Sequence, residues 1–133
     1  MKPKYKVMFP DYDDTLPELE GFTDSSWSND ACPSISREID AGAIHPRIVV
    51  VFVDYKDPSL REHGDQGFRY AVVKLTPYEQ DEMKTLLATD DWSEVVKLTD
   101  GIDWEITRRP WRAREIPLFA ESRSHFTPTT KGE

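Results

Sequence analysis

The pattern of apolar and polar positions is clearest in the middle of the chain, where it predicts two neighbouring strands. Residues 47–55 (RIVVVFVDY) are almost continuously apolar, which is typical of a central strand covered on both faces. Residues 68–75 (FRYAVVKL) form a second such run. The intervening stretch 56–67 is polar and contains proline and glycine, so the two runs predict an antiparallel hairpin with a long loop.

Capping signals predict three helices. The sequence Thr76-Pro77-Tyr78-Glu79 has the form of a capping box with proline at the first helical position, and it predicts a helix from residue 77 to about 88. A shorter helix is predicted over 91–98, ending at Gly101. A third short helix is predicted over 34–42, with a serine as its cap and a glycine after its last turn.

Weaker alternation predicts short strands at 4–9 and 102–107, and one short strand within 22–27. The predicted fold is therefore α+β, a small and mainly antiparallel sheet with two or three short helices packed on one face. We expect a single domain over residues 1–120. Residues 121–133 have little core-forming pattern and predict a flexible C-terminal tail.

Composition narrows the class of protein. The chain has 133 residues, the size of one domain, and carries 17 Lys and Arg against 25 Asp and Glu, a formal charge of −8. This charge repels phosphates, so direct nucleic-acid binding is not expected. No apolar run is long enough for a membrane span, and a single cysteine, Cys32, excludes an internal disulfide. We expect a cytoplasmic protein with no cofactor and no metal site.

The charges are unevenly distributed. Residues 11–30 hold seven acids and neither Lys nor Arg, and residues 76–105 hold nine acids against two lysines. Residues 108–123 reverse the sign, with five arginines against two glutamates. Two interpretations stay open, because these segments can neutralise each other within the chain or present opposite surfaces to a partner.

One short motif suggests an enzyme. The sequence Asp11-Tyr12-Asp13-Asp14-Thr15 resembles the first motif of haloacid-dehalogenase-type phosphotransferases. The resemblance implies Asp11 as nucleophile and Asp13 as general acid, with magnesium held between them after a buried strand. Pro10 stands where that strand runs in the family, and the later motifs of the family are not recognisable. A magnesium-dependent phosphatase-like enzyme is therefore the alternative hypothesis.

A second resemblance concerns residues 27–33 (WSNDACP). This segment is similar to one found in small uncharacterised phage and plasmid accessory proteins, and the overall composition resembles that of phage anti-CRISPR and antirestriction inhibitors. The resemblance implies a non-enzymatic acidic protein of a mobile genetic element. Such a protein would inhibit a host defence complex by mimicking nucleic acid in its basic groove. A regulatory or assembly subunit is the remaining alternative.

Two sets of residues are predicted to bind the partner. The acidic set is Asp11, Asp13, Asp14, Glu18, Glu20, Glu79, Glu82, Asp90 and Asp91. The alternative set consists of aromatic and arginine residues, which dominate many protein interfaces, and comprises Trp27, Arg108, Arg109, Trp111 and Arg112. No catalytic residues are predicted under the leading hypothesis.

Overall fold

Five antiparallel strands form one sheet in the computed structural model, which describes residues 2–76 and 82–106. Each strand pairs with the next along the chain, giving the order β1-β2-β3-β4-β5. The strands are β1 (Thr23–Asp24), β2 (Ser34–Ile39), β3 (Arg47–Val53), β4 (Tyr70–Thr76) and β5 (Glu82–Thr89). Helix α1 (Lys4–Met8) precedes the sheet, helix α2 (Trp92–Asp100) follows it, and two 3-10 turns lie at Pro58–Leu60 and Gly64–Gln66. The chain is α+β with an antiparallel sheet.

The predicted central hairpin is confirmed as β3 and β4, with Val51 paired to Val72. Successive residues of a strand point to opposite faces, so β3 divides into two sets. Val49, Val51 and Val53 are fully buried and define the core face of the sheet. The residues that alternate with these valines point to the opposite side of the sheet. Together with the residues beside them on the neighbouring strands, they define the second face.

Segments that precede the sheet in the sequence and a segment that follows it both contribute to the core face. Tyr5 of α1, Leu16 of the following loop and Val95 of α2 belong to one buried cluster with the valines of β3. Val95 is completely buried. Burying one aliphatic side chain of this size contributes about 1.5–3 kcal/mol, so these contacts help to attach the helices to the sheet. No helix in the described part of the chain is long and apolar enough to cross a membrane.

The helix predicted over 34–42 is wrong, because this region contains strand β2. Ile35 and Ile39 are both buried on the core face, and the residues from Ser34 to Ile39 pair one by one with β3. Pairing with β3 on one side decides the conformation against the local capping signals. Gly42 does have a positive φ of 94°, but it lies in the loop between β2 and β3.

The helix predicted over 77–88 is also wrong, because residues 82–89 form β5. Thr76 is the last residue of β4, paired with Glu82, and residues 77–81 lie outside the described part of the chain. A β-bulge explains the misleading pattern, since Val72 pairs with Leu87 whereas Val73 pairs with Thr85. The extra residue, Leu86, breaks the alternation and gives the apolar positions a helix-like spacing.

Four smaller predictions have different outcomes. The strand predicted over 4–9 is wrong, because these residues contain α1. The strand predicted over 102–107 is also wrong for its described residues, 102–106, which contain turns and no strand. The helix predicted over 91–98 is confirmed as α2, and the Asp91 side chain caps it by accepting from the Ser93 N–H at 3.0 Å. The proposed tail over 121–133 lies outside the described residues.

Trp104 attaches the end of the described chain to the sheet. Its carbonyl accepts a hydrogen bond from the Asp40 N–H at 2.7 Å, and its ring packs edge-to-face on Phe22 with 5.5 Å between centroids. The Arg37 guanidinium lies 4.3 Å from the ring centroid. Gly21, with φ of 82°, passes so close that a Cβ there would lie 2.7 Å from the Arg37 guanidinium carbon.

Gly21→Ala is expected to reduce the free energy of unfolding by about 1.5–3 kcal/mol. A left-handed conformation costs about 1–2 kcal/mol with a Cβ. Displacing Arg37 from the Trp104 ring removes a further ~0.5–1 kcal/mol. Gly64→Ala is the matched control, because Gly64 also has a positive φ but a Cβ there contacts nothing within 4 Å. Urea denaturation of both variants measures the difference, and equal losses would contradict the role of Arg37.

Candidate functional site

The acidic turn after α1 binds the loop that follows β3. The Asp13 carboxylate accepts hydrogen bonds from the backbone N–H groups of Lys56 and Asp57, both at 2.8 Å. Desolvation raises the pKa of this carboxyl, but the two backbone donors outweigh that effect, and the pKa of Asp13 lies below its usual range. Asp13 therefore fixes the start of the β3–β4 loop as an anion.

Two tyrosines connect the same turn to the end of β3. The Tyr12 hydroxyl donates towards the carbonyls of Val53, at 3.2 Å, and Asp54, at 3.3 Å. The Tyr55 hydroxyl donates to Asp11 at 2.8 Å, and the two rings pack edge-to-face with 5.2 Å between centroids. Burial raises the pKa of Tyr12 to about 12, so its hydroxyl stays protonated and remains a donor.

Arg69, just before β4, also connects the acidic turn to the loop that follows β3. Its Nε donates to the Asp54 carbonyl at 2.7 Å, and its Nη2 lies 3.0 Å from Asp14 and 3.3 Å from the Tyr12 hydroxyl. The Thr15 N–H and the Arg69 guanidinium together lower the pKa of Asp14. The Arg69 side chain is only 12% exposed, so this ion pair is shielded from solvent on the arginine side.

Arg61 holds the loop itself. Its guanidinium donates to the carbonyls of Tyr55, Lys56 and Gly67, at 2.7–3.1 Å. Asp90, at the end of β5, lies 3.7 Å from Arg61 and accepts from the Arg69 N–H at 2.7 Å. The loop is thus fixed both to itself and to the neighbouring strand ends.

These contacts collect exposed carboxylates at one end of the sheet, which we call the acidic end. All its members are exposed and lie where β3 ends, β4 begins and β5 ends: Asp11, Asp13, Asp14, Asp57, Asp90 and Asp91. The nearby cations are Lys56, Arg61 and Arg69, and the two arginines face inward onto carbonyls and carboxylates. Negative charge therefore dominates the outer surface of this end.

Neither a protein-family model, nor a curated protein, nor a solved structure matches this chain. The functional interpretation therefore depends on the geometry of the acidic end and on the rest of the described surface.

The structure separates the predicted acidic set. Five of its members belong to the acidic end, namely Asp11, Asp13, Asp14, Asp90 and Asp91. Glu18 and Glu20 instead line a concavity beside α1, formed with Leu16 and Phe22. Glu82 begins β5, whereas Glu79 lies outside the described residues.

In the alternative set, Trp27 is 56% exposed in the turn before β2. The four remaining members of that set lie outside the described residues, namely Arg108, Arg109, Trp111 and Arg112.

The residues that organise the acidic end are not evident from the sequence. Arg61 lies in the polar stretch 56–67 and Arg69 in the predicted strand 68–75, and nothing in their spacing indicates that they turn inward. Tyr12 and Tyr55 lie 43 positions apart in the numbering and meet only through the fold. The only available signal was the density of Asp, Tyr and Arg in the two segments that come together.

Around Asp11 the structure differs from the context that the phosphatase resemblance implies. The chain before Asp11 is helix α1 rather than a buried strand, and both oxygens of Asp13 are engaged by backbone N–H groups. Among the described residues, no group of three or more His, Cys, Asp or Glu side chains is arranged to hold a metal ion. Cys32 is buried, and burial raises the pKa of its thiol, which favours the protonated form.

Asp13→Ala is expected to lower the free energy of unfolding by about 1 kcal/mol at neutral pH, because two backbone donors lose their acceptor. The pKa of Asp13 is lower in the folded chain than its unfolded value of about 3.9. Its contribution is therefore complete above that value and is lost as the pH falls through the folded pKa. Urea denaturation should show a difference between wild type and variant at neutral pH that shrinks as the pH falls below the unfolded pKa of about 3.9.

The control for Asp13→Ala is Glu20→Ala, which removes one exposed carboxylate from a different surface. It should change the stability little at either pH. An equal loss in both variants would mean that net charge, rather than the hydrogen bonds of Asp13, sets the effect.

Millimolar magnesium is expected to leave the melting temperature of the chain unchanged, because a ligand stabilises a protein only when it binds the folded state. Differential scanning calorimetry with and without magnesium measures this directly. A rise of several degrees that disappears in Asp11→Asn would instead support a metal site at the Asp11–Asp13 turn.

Proposed function

We propose that this chain is a non-enzymatic interaction protein whose acidic end occupies a basic, nucleic-acid-binding groove of a partner protein. The observation that carries the proposal is the internal fixation of the acidic turn. Asp11, Asp13 and Asp14 each accept a hydrogen bond from a group elsewhere in the chain, at 2.8–3.0 Å.

Fixed carboxylates suit a binding surface that must imitate phosphates. A side chain that is already held loses less conformational freedom on binding, which improves affinity without new contacts. A carboxylate has about four lone-pair sites, so one that accepts an internal hydrogen bond can still accept others. Tyr55 bonds to one oxygen of Asp11, and within the described part of the chain the second oxygen can accept from a partner's Arg or Lys.

The proposal extends to the setting of the protein. The partner would be a host complex, of the kind inhibited by the phage anti-CRISPR and antirestriction proteins that the composition resembles. We further propose a cytoplasmic location, and a layer of short helices packed on the core face that leaves the acidic end for the partner. The acidic end would take the place of DNA or RNA, so the chain itself would bind neither.

Neutralising three carboxylates of the acidic end is expected to weaken partner binding tenfold or more. The variant Asp11→Asn/Asp57→Asn/Asp90→Asn keeps a side-chain oxygen at every position, so the internal hydrogen bonds retain an acceptor. Binding should also weaken steeply with salt and compete with DNA, because it replaces phosphate contacts. Pull-down from host lysate at two salt concentrations, with and without competing DNA, measures all three effects.

The matched control removes the same charge elsewhere, in the variant Glu18→Gln/Glu20→Gln/Asp100→Asn. This variant should retain the partner, because exposed carboxylates away from the interface contribute little. A captured partner that is indifferent to salt, to DNA and to the acidic-end variant would contradict nucleic-acid mimicry. Equal losses in both variants would show that net charge alone, not this surface, determines binding.

A further inference from the structure

A groove of about 670 Å³ lies on the second face of the sheet. Its floor is built by three adjacent strands and includes Phe52, Val73 and Met83. Met83 is 63% exposed, and Phe68, on one side of the groove, is 54% exposed. Large apolar side chains exposed together in a concavity are typical of a binding surface.

Three carboxylates also line the groove, and we call them the acidic rim: Asp30, Asp54 and Glu62. They come from three segments of the chain, namely the turn before β2, the residue after β3 and the loop between β3 and β4. Burial raises the pKa of the Cys32 thiol, and the charges of all three carboxylates raise it further. The acidic rim is therefore concentrated at the part of the groove that Cys32 lines.

The basic side chains that line the groove do not balance the acidic rim. Arg69 belongs to the acidic end as well as to the groove, and its Nη2 lies 3.0 Å from Asp14, outside the rim. His63 lies 4.0 Å from Glu62 and carries a charge only when it is protonated. Among the described lining residues, three carboxylates thus face at most two cations, one of which is already paired elsewhere.

Two carboxylates of the rim lack the solvation that they would have in water. In the described part of the chain, burial raises the pKa of Asp30 with no hydrogen bond to oppose it. Burial also raises the pKa of Asp54, despite two backbone hydrogen bonds and the charge of Arg61. A bound cation would stabilise the ionised carboxylates and offset this cost. The rim therefore favours a ligand with a positive charge.

The apolar floor beside the rim favours a second, aromatic group on the same ligand. A guanidinium pairs with a carboxylate through two parallel hydrogen bonds, and it also stacks on aromatic rings such as that of Phe68. A phenyl or indole ring provides a flat apolar surface that can cover Phe52 and Val73. Arginine together with an aromatic residue therefore matches both parts of the groove.

The geometry of the groove also sets the spacing of these two groups. Phe52 lies in β3, and Asp54 follows it by two positions, so their Cα atoms are about 7 Å apart. Both side chains line the groove. An extended peptide has the same spacing between residues i and i+2, whose side chains point to one side. An arginine and an aromatic residue two positions apart can therefore contact the rim and the floor together.

We infer that the groove on the second face binds an extended segment of a partner protein in which an arginine and an aromatic residue are two positions apart. The arginine pairs with the acidic rim, and the aromatic ring covers the floor beside Phe52 and Phe68. The groove adjoins the acidic end through Arg69. The inference does not rest on the proposed function, because the acidic rim shares no carboxylate with the acidic end.

A peptide titration followed by NMR tests the inference in the full chain. The probe is the pentapeptide Arg-Thr-Trp-Thr-Arg, acetylated and amidated, which presents the spacing in both chain directions. It should shift the amide signals of Asp30, Asp54 and Phe68 in a saturable way, with a dissociation constant on the order of 1 mM. Replacing its Trp by Ala, or both Arg by Gln, should each raise that constant severalfold.

Paired variants separate the groove from net charge. Asp30→Asn/Glu62→Gln and Phe68→Ala should each weaken binding of the pentapeptide severalfold. The matched control, Asp11→Asn/Asp90→Asn, removes the same charge from the acidic end and should leave binding unchanged. Circular dichroism confirms that every variant is folded.

Three results would overturn the inference. The first is the lack of saturable shifts up to about 10 mM pentapeptide, ten times the expected constant. The second is a set of shifts confined to the acidic end or to the core face. The third is an equal loss of binding in the rim variant and in the acidic-end variant, which would mean attraction by net charge alone. None of these results bears on capture of a partner by the acidic end, which the pull-down measures separately.

Discussion

The long loop between β3 and β4 must satisfy its backbone hydrogen-bonding groups without a strand beside it, and the rest of the acidic end depends on how it does so. Asp13 accepts from two N–H groups of the loop, and Arg61 donates to three of its carbonyls. The bonds of Asp13 are exposed to solvent, whereas the Arg61 bonds to the carbonyls of Tyr55 and Gly67 are partly buried, where an unpaired carbonyl costs about 1–3 kcal/mol. Several charged side chains at this end therefore stabilise the loop, in addition to any role in binding.

The elements that the sequence could predict are those whose signals are local or strongly apolar. The hairpin of β3 and β4 was predictable because its apolar runs are long and β-branched, and α2 was predictable because an Asp cap and a Gly stop bound it. Strands β2 and β5 were not, since short-range signals there favour helices. Ile35 and Leu87 become strand residues only through pairing with neighbours that lie many positions away in the chain.

The candidate site was predictable in composition and not in arrangement. An acid-rich stretch after residue 10 predicts an acidic surface, and several of those carboxylates do lie together. Their partners Arg69 and Tyr55 approach from 55 and 44 positions away. No periodicity in one sequence encodes contacts of that range, so the separation of structural from outward-facing carboxylates required the fold.

The chain-order pairing of the strands has a consequence for how the molecule is assembled. Every strand pairs with its immediate neighbour in sequence, so the sheet can form by successive short-range hairpins, a topology associated with fast folding. The contacts of the acidic turn span 41 to 57 positions and close much larger loops. We therefore expect the turn to dock after the hairpins have formed. During synthesis, Asp14 meets its partner Arg69 only after residue 69 has left the ribosome, whereas Asp11 and Asp13 have partners at residues 55–57.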